Sequence, residues 1–179
     1  MPIKAIIFDR DATLNKWQNK KSHGYVLTPD EMELLPNVKK GLELANEHGI
    51  TSFIFTQQRC VNKGLVSTEI LNNIHAKMQD LLGSNAPIEK VYYCPHLADE
   101  NCNCGKPKPG MILSILADYN LKPEEVIVMG DAKRDWQSAQ NAKTPFVFIK
   151  SEKHSAEEYR KTGIKTYNNI LNAIEDIIK

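Results

Sequence analysis

A chain of 179 residues with 41% hydrophobic and 25% charged residues is large enough to bury its own core, and it lacks the polar excess of a disordered one. Its formal net charge of +1, with lysines spread along the sequence, gives no electrostatic footprint for nucleic acid or an anionic membrane. The opening "MPIKAIIFDRD" has too short an apolar run for a secretion signal, and no stretch is long and apolar enough to span a bilayer, so a cytoplasmic protein is expected. In chain order, the apolar runs Lys4 to Phe8, Thr51 to Phe55, Lys90 to Tyr93, Glu125 to Met129 and Pro145 to Ile149 lack strict alternation. That is the pattern of parallel strands covered on both faces. Helical spacing lies between them: Val38, Leu42 and Ala45; then Ile70, Ile74, Met78 and Leu81; then Ile112, Ile115, Leu116 and Tyr119. Gly49 and Gly83 stand where two of these helices would stop, Ser155 with Glu158 would form a capping box, and an amphipathic segment from Asn168 would pack on the sheet.

This alternation predicts an α/β fold, a doubly wound parallel sheet, over a single domain spanning 1–179 and without a large cap domain. Ligands of such sheets bind beyond the carboxyl ends of the strands. The irregular stretches Asn15 to Pro36 and Pro95 to Pro109 are therefore expected to be loops over a site. Asp9 and Asp11 follow the first run, Thr56 the second and Asp131 with Asp135 the fourth, while Lys106 precedes the third helix. Crowded carboxylates raise one another's pKa unless a cation holds them ionised, and Mg²⁺ suits carboxylate oxygens while leaving room for a phosphate oxygen. An aspartate can attack phosphorus, a neighbouring acid can manage the protons, and Thr56 with Lys106 would bind the phosphoryl oxygens.

In the order "DRDATLN", "TQQ", "GKPKPG", "GDAKRD", the chain resembles the haloacid dehalogenase (HAD) superfamily of phosphohydrolases over almost its whole length. The resemblance implies Asp9 as nucleophile, Asp11 as general acid/base, Thr56 and Lys106 as phosphoryl-binding groups, and Asp131 as a Mg²⁺ ligand supported by Asp135. The ion would also take the backbone carbonyl of Asp11. Within the superfamily, "CPHLADENCNC" singles out a branch with a metal-binding loop. Cys94, His96, Cys102 and Cys104 are a complete tetrahedral set for a structural Zn²⁺, and Cys60 is left as a free thiol. With "YYCPH" and "KPKPGM", the loop looks like the D-glycero-D-manno-heptose 1,7-bisphosphate phosphatases. The short spacing between His96 and Cys102 is similar to that of the histidinol-phosphate phosphatases.

Both groups usually carry Arg-Lys-Pro after the last zinc cysteine, where this chain has Gly105-Lys106-Pro107. Arg59 could replace the lost charge from another loop. Gln57, Gln58, Arg59 and Lys133 are the candidate substrate-binding residues, with Lys63 a further basic candidate. Ala12, where glycine is common, is expected to be tolerated with a negative φ. Trp17 and Tyr25 would either close over a sugar ring or anchor their loop. His23, His48, His75 and His154 have no partner identifiable from spacing. The expected partner is a small phosphorylated metabolite, with no nucleic acid and no membrane, and the chain is expected to be a monomer. The competing readings are a nucleic-acid 3′-phosphatase and a zinc-clipped scaffold without catalysis.

Overall fold

The computed structural model describes residues 2–18, 24–154 and 163–179. Its strands are β1 (Ala5–Phe8), β2 (Thr51–Gln57), β3 (Lys90–Cys94), β4 (Val126–Gly130), β5 (Phe146–Ile149) and β6 (Thr166–Tyr167). They form one sheet in the order β3-β2-β1-β4-β5-β6, with every pairing parallel. The helices are α1 (Val38–Glu47), α2 (Thr68–Leu82), α3 (Gly110–Asp118), α4 (Lys133–Asn141) and α5 (Ile170–Ile177). Among the described residues no helix is long and apolar enough to cross a membrane.

Both faces of the sheet are covered, which explains the unbroken apolar runs. Ile6, Phe8, Ile54 and Met129 face one core with Leu42 of α1, Ile74 of α2 and Ile174 of α5. Ala5, Ile7, Phe53, Phe55 and Val128 face the other with Ile112 and Ile115 of α3 and Ala139 of α4. The side chains alternate between the two cores along β1 because strand periodicity is two.

Local chemistry ends and starts the helices as the sequence suggests. Gly49 has a φ of 70° just after α1, a conformation that a side chain would strain. Ser67 caps α2 by accepting a hydrogen bond from the Ile70 amide, and Asn169 caps α5 by accepting from Asn172.

Several sequence expectations need correction. The buried face of α2 runs through Leu71, Ile74, Met78 and Leu82, whereas Ile70 and Leu81 are 39% and 37% exposed. With its start fixed at Ser67, the helix turns the next position of the stripe toward the sheet. Tyr119 caps the end of α3 and lays its ring edge-on against Phe53, with centroids 4.5 Å apart. β6 was not foreseen, because two residues are too few to show a period. The proposed capping pair Ser155 and Glu158, and His23, lie outside the described residues.

Candidate active site and metal-binding loop

β1 lies at the middle of the sheet, paired in register with β2 and β4, so Phe8 sits between Ile54 and Met129. The ladder continues one residue further: the Asp9 amide donates to the Met129 carbonyl at 2.8 Å. This fixes Asp9 at the carboxyl end of the sheet. Beyond it, Leu14 and Asn15 donate their amides back to the Arg10 carbonyl, closing a tight turn. Ala12 in that turn has a φ of 70°, not the negative value expected. A side chain in the left-handed region carries a strain of roughly 1 kcal/mol, so this turn is held against its local preference.

Asp9, Asp131 and Asp135 are all buried, and one oxygen from each falls within a sphere of mutual distances under 4.8 Å. Lys106 sits among them, its Nζ 2.6 Å from Asp9 Oδ1 and 2.8 Å from Asp135 Oδ1, above the Phe55 ring at 3.5 Å from the centroid. One ammonium among three carboxylates leaves an excess of negative charge. Burial raises the pKa of Asp9 to about 6, opposed by Lys106 and reinforced by Asp135 and Asp11. Burial, then Asp9 and Asp135, raise Asp131 to about 7. Ser151 donates its hydroxyl to Asp131 Oδ2 at 2.8 Å, while Asp131 Oδ1 is buried with no hydrogen-bond partner. A buried carboxylate oxygen left bare beside two other acids fits a hard divalent cation. Gly130 makes the arrangement possible, since a Cβ there would come within 2.7 Å of the Asp135 side chain.

Asp11 stands apart from this cluster. Its carboxylate accepts from Arg10 Nε and Nη2, from Asn15 Nδ2 at 3.2 Å and from Gln58 Nε2 at 2.7 Å. Burial alone would raise its pKa, but Arg10 and these hydrogen bonds together hold it below the usual carboxylate range. Gln58, expected to touch a ligand, is fully buried; its amide nitrogen instead joins Asp11 to Thr56 Oγ1, at 2.8 Å from the latter. The Cys60 thiol donates to Gln58 Oε1, which orients that amide. A cavity of about 250 Å³ opens beside Asp11, with Trp17, Tyr25, Gln57 and Arg59 in its wall. Its further basic residues are Arg134 and Lys153, while the expected Lys133 is exposed and lies outside its lining.

Cys94 ends β3, and His96, Cys102 and Cys104 follow in the loop, with ligand atoms again within 4.8 Å of one another. Cys94 Sγ is 3.6 Å from Cys102 Sγ and 3.7 Å from His96 Nδ1, and His96 Nδ1 is 3.2 Å from Cys104 Sγ. Tetrahedral bonds to zinc put sulfur atoms about 3.7 Å apart, so the cluster has the dimensions of a closed Zn²⁺ site. The Gly105 amide donates to Cys102 Sγ at 3.3 Å, and Lys106 comes next in the chain. The loop that gathers the thiolates therefore also delivers the ammonium to Asp9.

Comparison with known proteins places these features. A D-glycero-β-D-manno-heptose-1,7-bisphosphate 7-phosphatase of Bordetella bronchiseptica is 34% identical over 141 residues, covering 78% of this chain and 76% of the relative. The chain belongs to the HAD-like heptose-bisphosphate phosphatase family. A second relative with the same activity in its name, from Pasteurella multocida, is 29% identical over 98% of this chain and 95% of its own. The HAD-hydrolase-like family model matches residues 103–177. The crystal structure of the B. bronchiseptica D,D-heptose 1,7-bisphosphate phosphatase, complexed with magnesium and phosphate, superposes with a TM-score of 0.87 at 27% identity and covers 98% of both chains.

In this heptose-bisphosphate phosphatase relative, sequence reasoning missed the support behind Asp11. Arg10 is the largest fully buried side chain among the described residues, and its Nη1 lies 3.0 Å from Nε2 of His75 on α2. Burial, and then the Arg10 charge, lower the His75 pKa to about 3, so its imidazole stays neutral and accepts from Arg10. No spacing links residues 10 and 75; only the fold joins them. An unfolded His75 takes up a proton below about pH 6.5, while the folded one does so only near pH 3. Stability from this group is thus present above pH 6.5 and lost as pH falls toward 3. Replacing His75 by Gln is expected to remove up to about 2 kcal/mol of the loss between pH 7 and 5, read from urea midpoints at the two pH values. An unchanged slope would mean that His75 takes up its proton in the folded protein as readily as in the unfolded one.

Proposed function

We propose that this protein hydrolyses the 7-phosphate of D-glycero-D-manno-heptose 1,7-bisphosphate through an aspartyl-phosphate intermediate. The observation that carries the reading is the buried cluster of Asp9, Asp131 and Asp135 around Lys106, with Asp131 Oδ1 bare. The activity for which its relatives are named supplies the substrate.

Lys106 holds Asp9 Oδ1, so Asp9 Oδ2 is the oxygen that attacks phosphorus as the bond from phosphorus to the sugar oxygen breaks. Asp11 gives a proton to the departing sugar oxygen. It is held ionised before substrate arrives; the negative charge of the incoming phosphate raises its proton affinity, and it takes up a proton from solvent water, which it then passes to the leaving oxygen. Asp11 then takes a proton from water, whose oxygen attacks phosphorus and breaks its bond to Asp9, releasing inorganic phosphate. Thr56 and Lys106 hold the phosphoryl oxygens through both steps. Asp9, Asp131 and the Asp11 carbonyl would hold Mg²⁺, with Asp135 in support; when bound, the ion offsets charge on the phosphoryl group. Cys94, His96, Cys102 and Cys104 would hold a Zn²⁺ that orders the loop.

Steady-state rates on heptose 1,7-bisphosphate and on histidinol phosphate, with Mg²⁺ present, test the assignment. The bisphosphate is expected to be preferred by at least about 100-fold in kcat/KM, the discrimination available from one fully used charged group and the hydroxyls around it. The short spacing from His96 to Cys102 favours the rival substrate, and comparable poor rates on both would sink both assignments.

A further inference from the structure

Position 105 cannot provide the cation that the zinc loop of this family usually presents. A Cβ built on Gly105 would lie 3.2 Å from Cys102 Sγ and 3.3 Å from Gln57 Nε2, so a side chain there would crowd a cysteine sulfur and an amide. Positive charge instead lines a cavity beside Asp11. Arg59 from the segment after β2, Arg134 from the first turn of α4 and Lys153 from the segment after β5 all line the cavity of about 250 Å³ that has Asp11 in its wall.

Among the described residues, none of these three side chains forms an ion pair with a carboxylate. Arg59 Nε is buried without a hydrogen-bond partner, and so is Gln57 Nε2, from the same cavity lining. Lys153 Nζ lies over the Trp17 ring, 5.1 Å from its centroid. The one acid in the cavity wall, Asp11, is already neutralised by Arg10. Three cations brought from distant parts of the chain to one wall repel one another, and none of them is closed off by a direct ion pair within the described residues; Lys153 feels the more distant charge of Asp131. Such convergence favours a bound dianion, and guanidinium forks match a phosphate geometrically as well as in charge.

The location says which phosphate. Asp11 protonates the leaving oxygen, so the cavity beside it holds the part of the substrate that departs, not the phosphoryl group bound by Asp9 and Lys106. We propose that Arg59, Arg134 and Lys153 form the subsite for the second, untransferred phosphate of a sugar bisphosphate, replacing the cation missing at position 105. The inference rests on the reading under Proposed function and names residues that set its selectivity.

The test compares kcat/KM for heptose 1,7-bisphosphate with that for heptose 7-phosphate, which keeps the scissile ester and lacks the second phosphate. Wild type is expected to prefer the bisphosphate. Arg134→Met and Lys153→Met, which keep the apolar stem and delete the charge, are each expected to lower that preference about tenfold, and together further, the size of one charge-assisted hydrogen bond per cation. Thermal melts of each variant establish that it is folded. A preference that stays within twofold of wild type in both single variants and in the double would overturn the subsite while leaving the phosphatase standing. A preference unchanged while inhibition by inorganic phosphate weakens would also overturn it, and would assign the cations to the free product. Wild type that turns over neither heptose phosphate would instead overturn the function on which the subsite rests.

Discussion

Asp9→Asn is expected to lower kcat by more than about 10⁴-fold, the scale on which loss of a catalytic nucleophile acts, and to leave the protein folded. Asparagine preserves an oxygen that can accept the Lys106 hydrogen bond and removes a carboxylate that burial and two neighbouring acids push up to about 6. The thermal midpoint should therefore hold or rise slightly, because one of three mutually repelling charges has gone. Phosphate release measures the first effect and a thermal melt the second. Acid-quenched wild type incubated with substrate should carry a phosphoryl group on Asp9, and the variant none. Turnover by the variant near the wild-type rate would exclude the aspartyl phosphate route whatever the substrate.

The second large effect concerns the thiolate loop. Removing zinc with a chelator that leaves magnesium in place, or replacing Cys104 by Ser, is expected to lower the melting temperature by roughly 10 °C, corresponding to a few kcal/mol for a chain of this size. Activity should fall with it by about 100-fold or more, because Lys106 lies two residues beyond Cys104 and loses its fixed place beside Asp9 and Asp135. The loop from Pro95 to Pro109 contains a single short 3₁₀ turn, Ala98–Glu100, which has no buried residue; besides the Cys/His cluster it is held by hydrogen bonds such as those from Asn62 to Glu100 and from Lys108 to the Cys102 carbonyl. An unchanged melt after proven zinc removal would count against the clip. A lowered melt with full activity would separate stability from Lys106 placement.

The parts of this fold that were legible in the sequence are those written in local chemistry. Val38, Leu42 and Ala45 lie at one helical spacing and are buried; the apolar runs ending near Phe8, Phe55 and Met129 became the central strands because both their faces are covered. Asp9, Lys106 and Asp131 were readable because the ends of parallel strands and their loops must converge, and these three lie together, while Thr56 is joined to Asp11 through Gln58. Less was legible wherever a side chain's direction decides. Asp9 and Asp11 are two residues apart and would point the same way in an extended chain. The turn at Ala12, with its positive φ, takes Asp11 out of the acid cluster and into the grip of Arg10. The same limit hid His75, which meets Arg10 only through packing of α2 against the end of β1, and Ser151, which reaches Asp131 from beyond β5. Arg134 and Lys153 carry no motif of their own, and their common cavity exists only in three dimensions.

The acid cluster draws its members from Asp9, just beyond the first strand, and from Asp135, in the helix after the fourth. No nascent segment that stops short of α4 can assemble the centre, and a chain emerging from the ribosome is chemically silent until most of its length has been made. Hydrolysis thus requires the chain to be made at least through α4, and after a break between those two aspartates the groups act together only if the fragments stay packed through the common sheet.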